Sequence, residues 1–116
     1  MKVTIEHTTT KVTMFSSAPA IALTVQFSEE ELAVIKESGL RDYVFHDAPL
    51  HPKAKADMHM PTPVHFLMDG KAIYYPYTDL AAARVDEIKI KESLKTLKGA
   101  IQANATPLKQ KDTFEL

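Results

Sequence analysis

Apolar and polar residues alternate along three early segments of the chain, KVTIE, KVTMF and IALTVQF. This period of two is typical of half-buried strands. We therefore predict strands over residues 2–6, 11–15 and 21–27, and the third has the clearest pattern in the chain. The segment HTTT at 7–10 is short enough to be a hairpin loop, although it lacks the glycine that a tight loop prefers.

The next segment has the signals of a helix. Ser28 is a good N-cap, and Glu31 three residues later completes a capping box. Gly39 suits the position after the last helical turn. These signals predict a helix over 29–38, and DYVFH at 42–46 then has the composition of a fourth strand.

Prolines interrupt every regular pattern between residues 47 and 63. Pro49, Pro52, Pro61 and Pro63 fit neither a central strand nor a helix interior, which predicts a long loop. Loops of this length inside a compact domain are uncommon and often have a function.

Asp69 and Gly70 lie between the runs VHFLM and KAIYY. A two-residue Asp-Gly turn between residues of high strand propensity predicts a β-hairpin. This hairpin places His65 opposite Tyr74 across the two strands.

A long amphipathic helix is predicted over about 80–103, with Thr78 or Asp79 as its cap. Val85 and Ile88 fall off the apolar stripe, so they face a partner, or else the helix bends or breaks near residue 86. The stripe has apolar residues at i, i+4, i+7 and i+11, as a helix that packs on one face requires; they are Ile90, Leu94, Leu97 and Ile101.

The predicted element order is β-β-β-α-β-loop-β-β-α. Short connections between strands favour antiparallel pairing, so we predict an α+β fold in which a mostly antiparallel sheet of about six strands packs against two helices. We expect one domain over residues 1–106 and a loose tail over 107–116, which fits the size of a 116-residue chain.

Composition and charge exclude several classes of function. The chain has no cysteine, which rules out disulfides and thiolate metal sites, and its 14 basic and 15 acidic residues give no strong field. It contains no Gly-rich phosphate loop, G-x-S-x-G or H-E-x-x-H motif. We therefore expect no cofactor. We also expect a cytoplasmic protein, because the amino terminus does not resemble a signal peptide and no apolar run approaches the length of a membrane span.

Four of the five histidines fall within twenty residues of one another. Imidazole binds zinc, copper and nickel, and the sequence Met58-His59-Met60 suits copper(I), although the histidine spacing matches no zinc motif. Ordinary loop packing is the alternative reading. The candidate ligand-binding residues are His46, His51, His59, His65 and Tyr74, and the candidate metal ligands are His59, Met58 and Met60.

A row of basic residues flanks the apolar stripe of the long helix. Such a row can contact phosphates or an acidic partner, or it can cover the edge of an apolar face while its charges stay in water. No aromatic residues alternate with it, so we do not expect nucleic-acid binding. Together with the two off-stripe residues, the candidate interface is Arg84, Lys91, Lys95, Lys98, Val85 and Ile88.

The sequence as a whole favours a small, non-catalytic interaction or assembly module that self-associates, with a dimer as the expected form. A threonine-rich strand with few charges invites pairing if it lies at a sheet edge. The second reading is a small ligand- or metal-binding protein that uses the loop 46–65 together with Tyr74 and Tyr77. The third is a small enzyme in which a histidine and an aspartate exchange protons with a substrate.

Overall fold

The computed structural model of the protein describes residues 1–49, 59–109 and 115. It confirms an α+β fold with antiparallel strands. A 3-10 turn at Leu40–Asp42 follows the first helix. In chain order the elements are β1 (Lys2–Thr13), β2 (Ser16–Gln26), α1 (Glu29–Ser38), β3 (Val44–Pro49), β4 (His59–Pro63), α2 (Val64–Met68), β5 (Lys71–Tyr74) and α3 (Leu80–Lys109).

The first two predicted strands and the loop between them are in fact one strand, β1. HTTT does not turn, because β-branched threonine favours the extended backbone. The chain turns instead at Met14 and Phe15, and β1 then pairs with β2 from Lys2 to Thr13. The hydroxyls of Thr13 and Ser16 lie 2.8 Å apart at this turn.

The strands form two sheets, so the prediction of about six strands in one sheet is wrong. One sheet has the order β1-β2-β5, and the other pairs β3 with β4. The predicted loop 47–63 is therefore partly a two-stranded ribbon, and residues 50–58 lie outside the described part of the chain. Each strand of such a ribbon has one edge without a partner, which is where a strand tolerates Pro61 and Pro63.

The predicted Asp-Gly hairpin is also wrong, since VHFLM forms the short helix α2. Val64 and Leu67 are both buried, and their spacing of three residues suits a helix better than a strand. Gly70 has a φ of +103° in the turn that follows. The next strand, β5, pairs with β2 between Ile21 and Thr24, and it does not fold back on the residues before the turn.

Helix α1 begins and ends where the sequence predicts. The Ser28 hydroxyl accepts a hydrogen bond from the Glu31 backbone N–H at 3.1 Å, and Glu31 Oε1 accepts one from the Ser28 N–H at 2.9 Å. Gly39 follows the helix with a φ of +76°, a left-handed conformation that favours glycine.

Helix α3 is continuous through residue 86 and extends past the predicted end at 103 to Lys109. The Asp79 side chain caps it by accepting a hydrogen bond from the Ala82 N–H at 2.7 Å. Val85 and Ile88 lie exposed on its outer face. No helix in the described ranges is long and apolar enough to cross a membrane.

The core lies between α3 and the face of the β1-β2-β5 sheet that carries Ile21, Leu23 and Val25. The predicted stripe of α3 is fully confirmed as part of this core. Helix α1 packs against α3, and β3 also contacts α3. The buried stripe residues are Ile90, Leu94, Leu97 and Ile101.

The two faces of α3 predict a matched pair of stability effects. Leu97 has no exposed surface, whereas Ile88 is 59% exposed. We expect Leu97→Ala to lower the free energy of unfolding by about 2–5 kcal/mol, because it opens a cavity in the core. Ile88→Ala should change it by less than about 0.5 kcal/mol. Urea unfolding at low protein concentration measures both, and equal losses would contradict this assignment of the faces.

Candidate functional site

Strand β1 lies at the edge of its sheet. It pairs with β2 along one side, and no strand in the described ranges pairs with its other side. Twelve residues in an extended strand span about 40 Å. The backbone N–H and C=O groups on the outer side are therefore free to accept another strand.

A groove of about 570 Å³ runs between β1 and α3. Met1, Val3, Ile5 and Leu94 contribute its apolar lining. The same face of β1 continues to His7, whose Nε2 lies 3.0 Å from Oε1 of Glu87 on α3. The groove is thus an apolar surface directly beside the free edge.

Three members of the predicted basic row, Lys91, Lys95 and Lys98, line this groove. The hydrogen bond from His7 lowers the pKa of Glu87, and the charge of Lys91, whose Nζ lies 3.6 Å from Glu87, lowers that pKa further. Arg84 is exposed on α3 but is not among the residues that line the groove. The predicted row therefore divides into three groove lysines and one separate arginine.

A second feature is a buried polar cluster where β3 meets α3. His46 Nε2 lies 3.2 Å from Oδ1 and 3.3 Å from Oδ2 of Asp86, and the Tyr77 hydroxyl donates to Oδ2. His46 and Asp86 are only 6% and 8% exposed. A carboxylate accepts hydrogen bonds and cannot donate them, so the His46 Nε2 carries the proton.

The cluster keeps Asp86 ionised. Burial raises the pKa of Asp86, but the hydrogen bonds from His46 and Tyr77 outweigh burial and leave that pKa below its ordinary value. Burial and the neighbouring carboxylate both raise the pKa of Tyr77, so its hydroxyl stays protonated as a donor. The three side chains thus have complementary donors and acceptors.

The structure brings together two of the predicted ligand residues, His46 and Tyr74. Their rings meet edge to face with centroids 5.1 Å apart. The Tyr74 hydroxyl donates to the buried Thr62 hydroxyl on β4, which lies opposite His46 in the β3–β4 ribbon. Burial raises the pKa of Tyr74, so this donor is also protonated.

The other predicted ligands do not join this pair in the described structure. His65 lies on α2, with its Nδ1 3.6 Å from Asp42, which is too long for a hydrogen bond. The backbones of His59 and Met60 lie in β4, while His51 and Met58 fall outside the described residues. Within the described ranges no three histidine, aspartate or glutamate side chains are placed to hold a metal ion.

Sequence reasoning missed Asp86, whereas the second reading already placed Tyr77 with the loop 46–65. A signal for Asp86 was present, because it precedes Ile90 by four residues and follows Ala83 by three. A carboxylate at such a position lies on the buried stripe and needs a donor close to it. Tyr77 lies only nine residues before Asp86, but His46 lies 40 residues before it, and the sequence does not identify either residue as a donor to Asp86.

No protein-family model, curated protein or solved structure matches the chain.

Asp86→Asn tests the polar cluster. Asparagine has no negative charge, and its NH2 group replaces one of the two oxygens that lie near the His46 Nε2–H, so we expect a loss of about 2–3 kcal/mol in the free energy of unfolding near neutral pH. The folded-state pKa of Asp86 is lowered, so its contribution is present above the ordinary value of 3.8 and is lost as the pH falls through the lower folded-state value. The variant should therefore lose less stability than the wild type on acidification.

Urea unfolding between about pH 6 and pH 2 measures both effects. Asp69→Asn is the matched control, because this aspartate is exposed in the turn after α2. If Asp86→Asn and Asp69→Asn show the same dependence on pH as the wild type, the cluster does not stabilise the fold through an ionised carboxylate.

Proposed function

We propose that the protein is a non-catalytic assembly module that self-associates by adding a strand at the free edge of β1. The observation that supports this most directly is the position of a twelve-residue strand at the edge of its sheet. Backbone hydrogen bonds along an added strand supply affinity, and the side chains beside them supply selectivity.

The composition of β1 supports the proposal. Proteins protect exposed edges with prolines, with charged residues that point inward, or with bulges. Strand β1 contains no proline, and its one irregularity lies near the turn, between Lys11 and Thr13. In its first half the residues that face α3 are the apolar Val3 and Ile5.

The groove beside β1 also supports the addition of a strand at this edge. A strand that joins β1 would place every second side chain over the groove, where it would contact Val3 and the nearby part of Leu94. Val3 is 39% exposed in the free chain, so an added strand would cover apolar surface as well as backbone groups. Burial of that surface favours association.

The buried polar cluster supports a non-catalytic module. Both donors to Asp86 come from within the protein, and the Tyr74 hydroxyl is engaged by Thr62. Buried polar groups with internal partners of this kind hold structural elements together.

Self-association predicts a mass that depends on protein concentration. Sedimentation velocity and native mass spectrometry of the tag-free chain should detect a 12.9 kDa monomer at low micromolar concentration and a dimer at higher concentration. A monomer across the whole range up to the millimolar would contradict the proposal.

Two charge-matched variants test which surface is used. Val3→Lys places another positive charge in the groove beside Lys95 and Lys98, and an added strand would bury it there. We expect it to raise the dissociation constant at least about tenfold. Ile88→Lys, on the outer face of α3, should leave the constant unchanged, and the reverse pattern would assign the interface to α3.

A further inference from the structure

We infer that the partner strand is β1 of a second copy, antiparallel and in the register that places Thr4 opposite the partner's Thr4. This inference rests on the proposed self-association and adds the identity of the partner strand and its alignment. It follows from the order of side chains along β1 and from the groove beside it.

The pleat of a strand restricts the possible registers. On one edge of a strand only every second residue directs its backbone groups outward, and facing residues in an antiparallel pair belong to the same set. In a symmetric pair, a residue of the set Lys2, Thr4 and Glu6 therefore faces a member of that same set in the second copy. Val3 and Ile5 likewise face members of their own set. A two-fold axis then passes through one residue that faces its own copy.

Charge selects among these registers. With the axis at Thr4, Lys2 faces the partner's Glu6 and Glu6 faces the partner's Lys2, so both charges of this half-strand gain opposite partners. With the axis at Val3 or Ile5, neither charge faces the other. With the axis at Glu6, two carboxylates face each other, which is unfavourable.

The apolar side chains agree with this selection. Val3 and Ile5 lie on the face of β1 that lines the groove, opposite Val25 and Leu23 of β2. The axis at Thr4 places Val3 against the partner's Ile5 and Ile5 against the partner's Val3. Both copies thereby cover the apolar lining of their grooves, and the two three-stranded sheets become one sheet of six strands.

The groove lysines oppose this pairing. Helix α3 runs antiparallel to β1, because Glu87 lies beside His7 while Lys98 lies near α1, whose Glu31 is 2.8 Å from the Met1 nitrogen. The two-fold axis therefore brings the lysine rows of the two copies face to face across the groove. Their repulsion is partly screened at physiological salt, and it is reduced when one lysine in each row is replaced by an acidic residue.

This repulsion gives a test that separates a second copy from an acidic partner. Lys95→Glu should lower the dissociation constant of the dimer severalfold, because each carboxylate then faces the partner's lysines. An acidic segment in the same groove would lose affinity on this substitution. A weaker dimer in the Lys95→Glu variant would overturn the proposed pairing.

Cysteine cross-linking tests the register. The chain contains no cysteine, so Thr4→Cys introduces a single thiol at the two-fold axis. Mild oxidation should convert this variant to a covalent dimer, because directly opposed residues in a sheet come within disulfide distance. Thr8→Cys, exposed on the same side of β1, does not face the partner's Thr8 in this register and should stay monomeric on denaturing gels.

Charge exchange gives the second test. Lys2→Glu and Glu6→Lys should each raise the dissociation constant about tenfold, and the double variant should restore it because the opposite charges face each other again. Lys11→Glu is the control, since Lys11 faces neither Lys2 nor Glu6 of the partner in this register and its substitution should have little effect.

The outcomes separate the register from the proposed function. A dimer that does not cross-link at Thr4→Cys, that cross-links at Thr8→Cys, or that is not restored by the double charge variant would overturn the register and leave self-association intact. A wild-type chain that is monomeric at every concentration would overturn both. Cross-linking at Thr4→Cys with recovery in the double variant supports the register.

Discussion

The contact between α3 and β2 is the interaction on which the rest of the structure depends. Ile90, Leu94 and Leu97 pack against the inward face of the central strand, where Ile21 and Leu23 have no exposed surface. Strands β1 and β5 both join the sheet through β2, and α1 packs on α3. Because α3 covers the centre of a narrow sheet, it leaves β1 exposed along its outer side.

A buried carboxylate helps to join the second sheet to this unit. Asp86 lies on the buried stripe of α3 and receives hydrogen bonds from His46 on β3 and from Tyr77 just before the helix. Removing one partner from such a group leaves the others buried without a hydrogen bond, so its geometry is restrictive. The cluster thus places β3 at one position along α3, which apolar contacts alone would specify less strictly.

The sequence predicts the elements whose signals are local and misses those that depend on distant partners. The Ser28–Glu31 capping box and Gly39 act within a few residues of each helix end, so both ends of α1 are predicted correctly. The stripe through Leu97 is correct because helical spacing reports one buried face.

The errors have a common physical origin. The Asp-Gly turn suits a hairpin, yet the residues before it form α2, in which Val64 and Leu67 are buried on one side. Strand β5 after the turn pairs with β2, about fifty residues earlier in the chain. His46, one of the two donors to Asp86, is likewise 40 residues earlier in the chain, so the stripe can indicate a buried carboxylate without identifying this donor.

The edges of the other strands are shorter or are interrupted by prolines, and this distinguishes them from the edge of β1. Strand β5 has only four residues, and β4 contains Pro61 and Pro63, which lack backbone donors. Strand β1 has twelve residues, with threonines where an isolated edge would benefit from charges. An edge of this kind exposes a chain to uncontrolled pairing along any part that no defined partner occupies. The alternation of Lys2, Thr4 and Glu6 is a pattern that would favour one such partner and one alignment over the others.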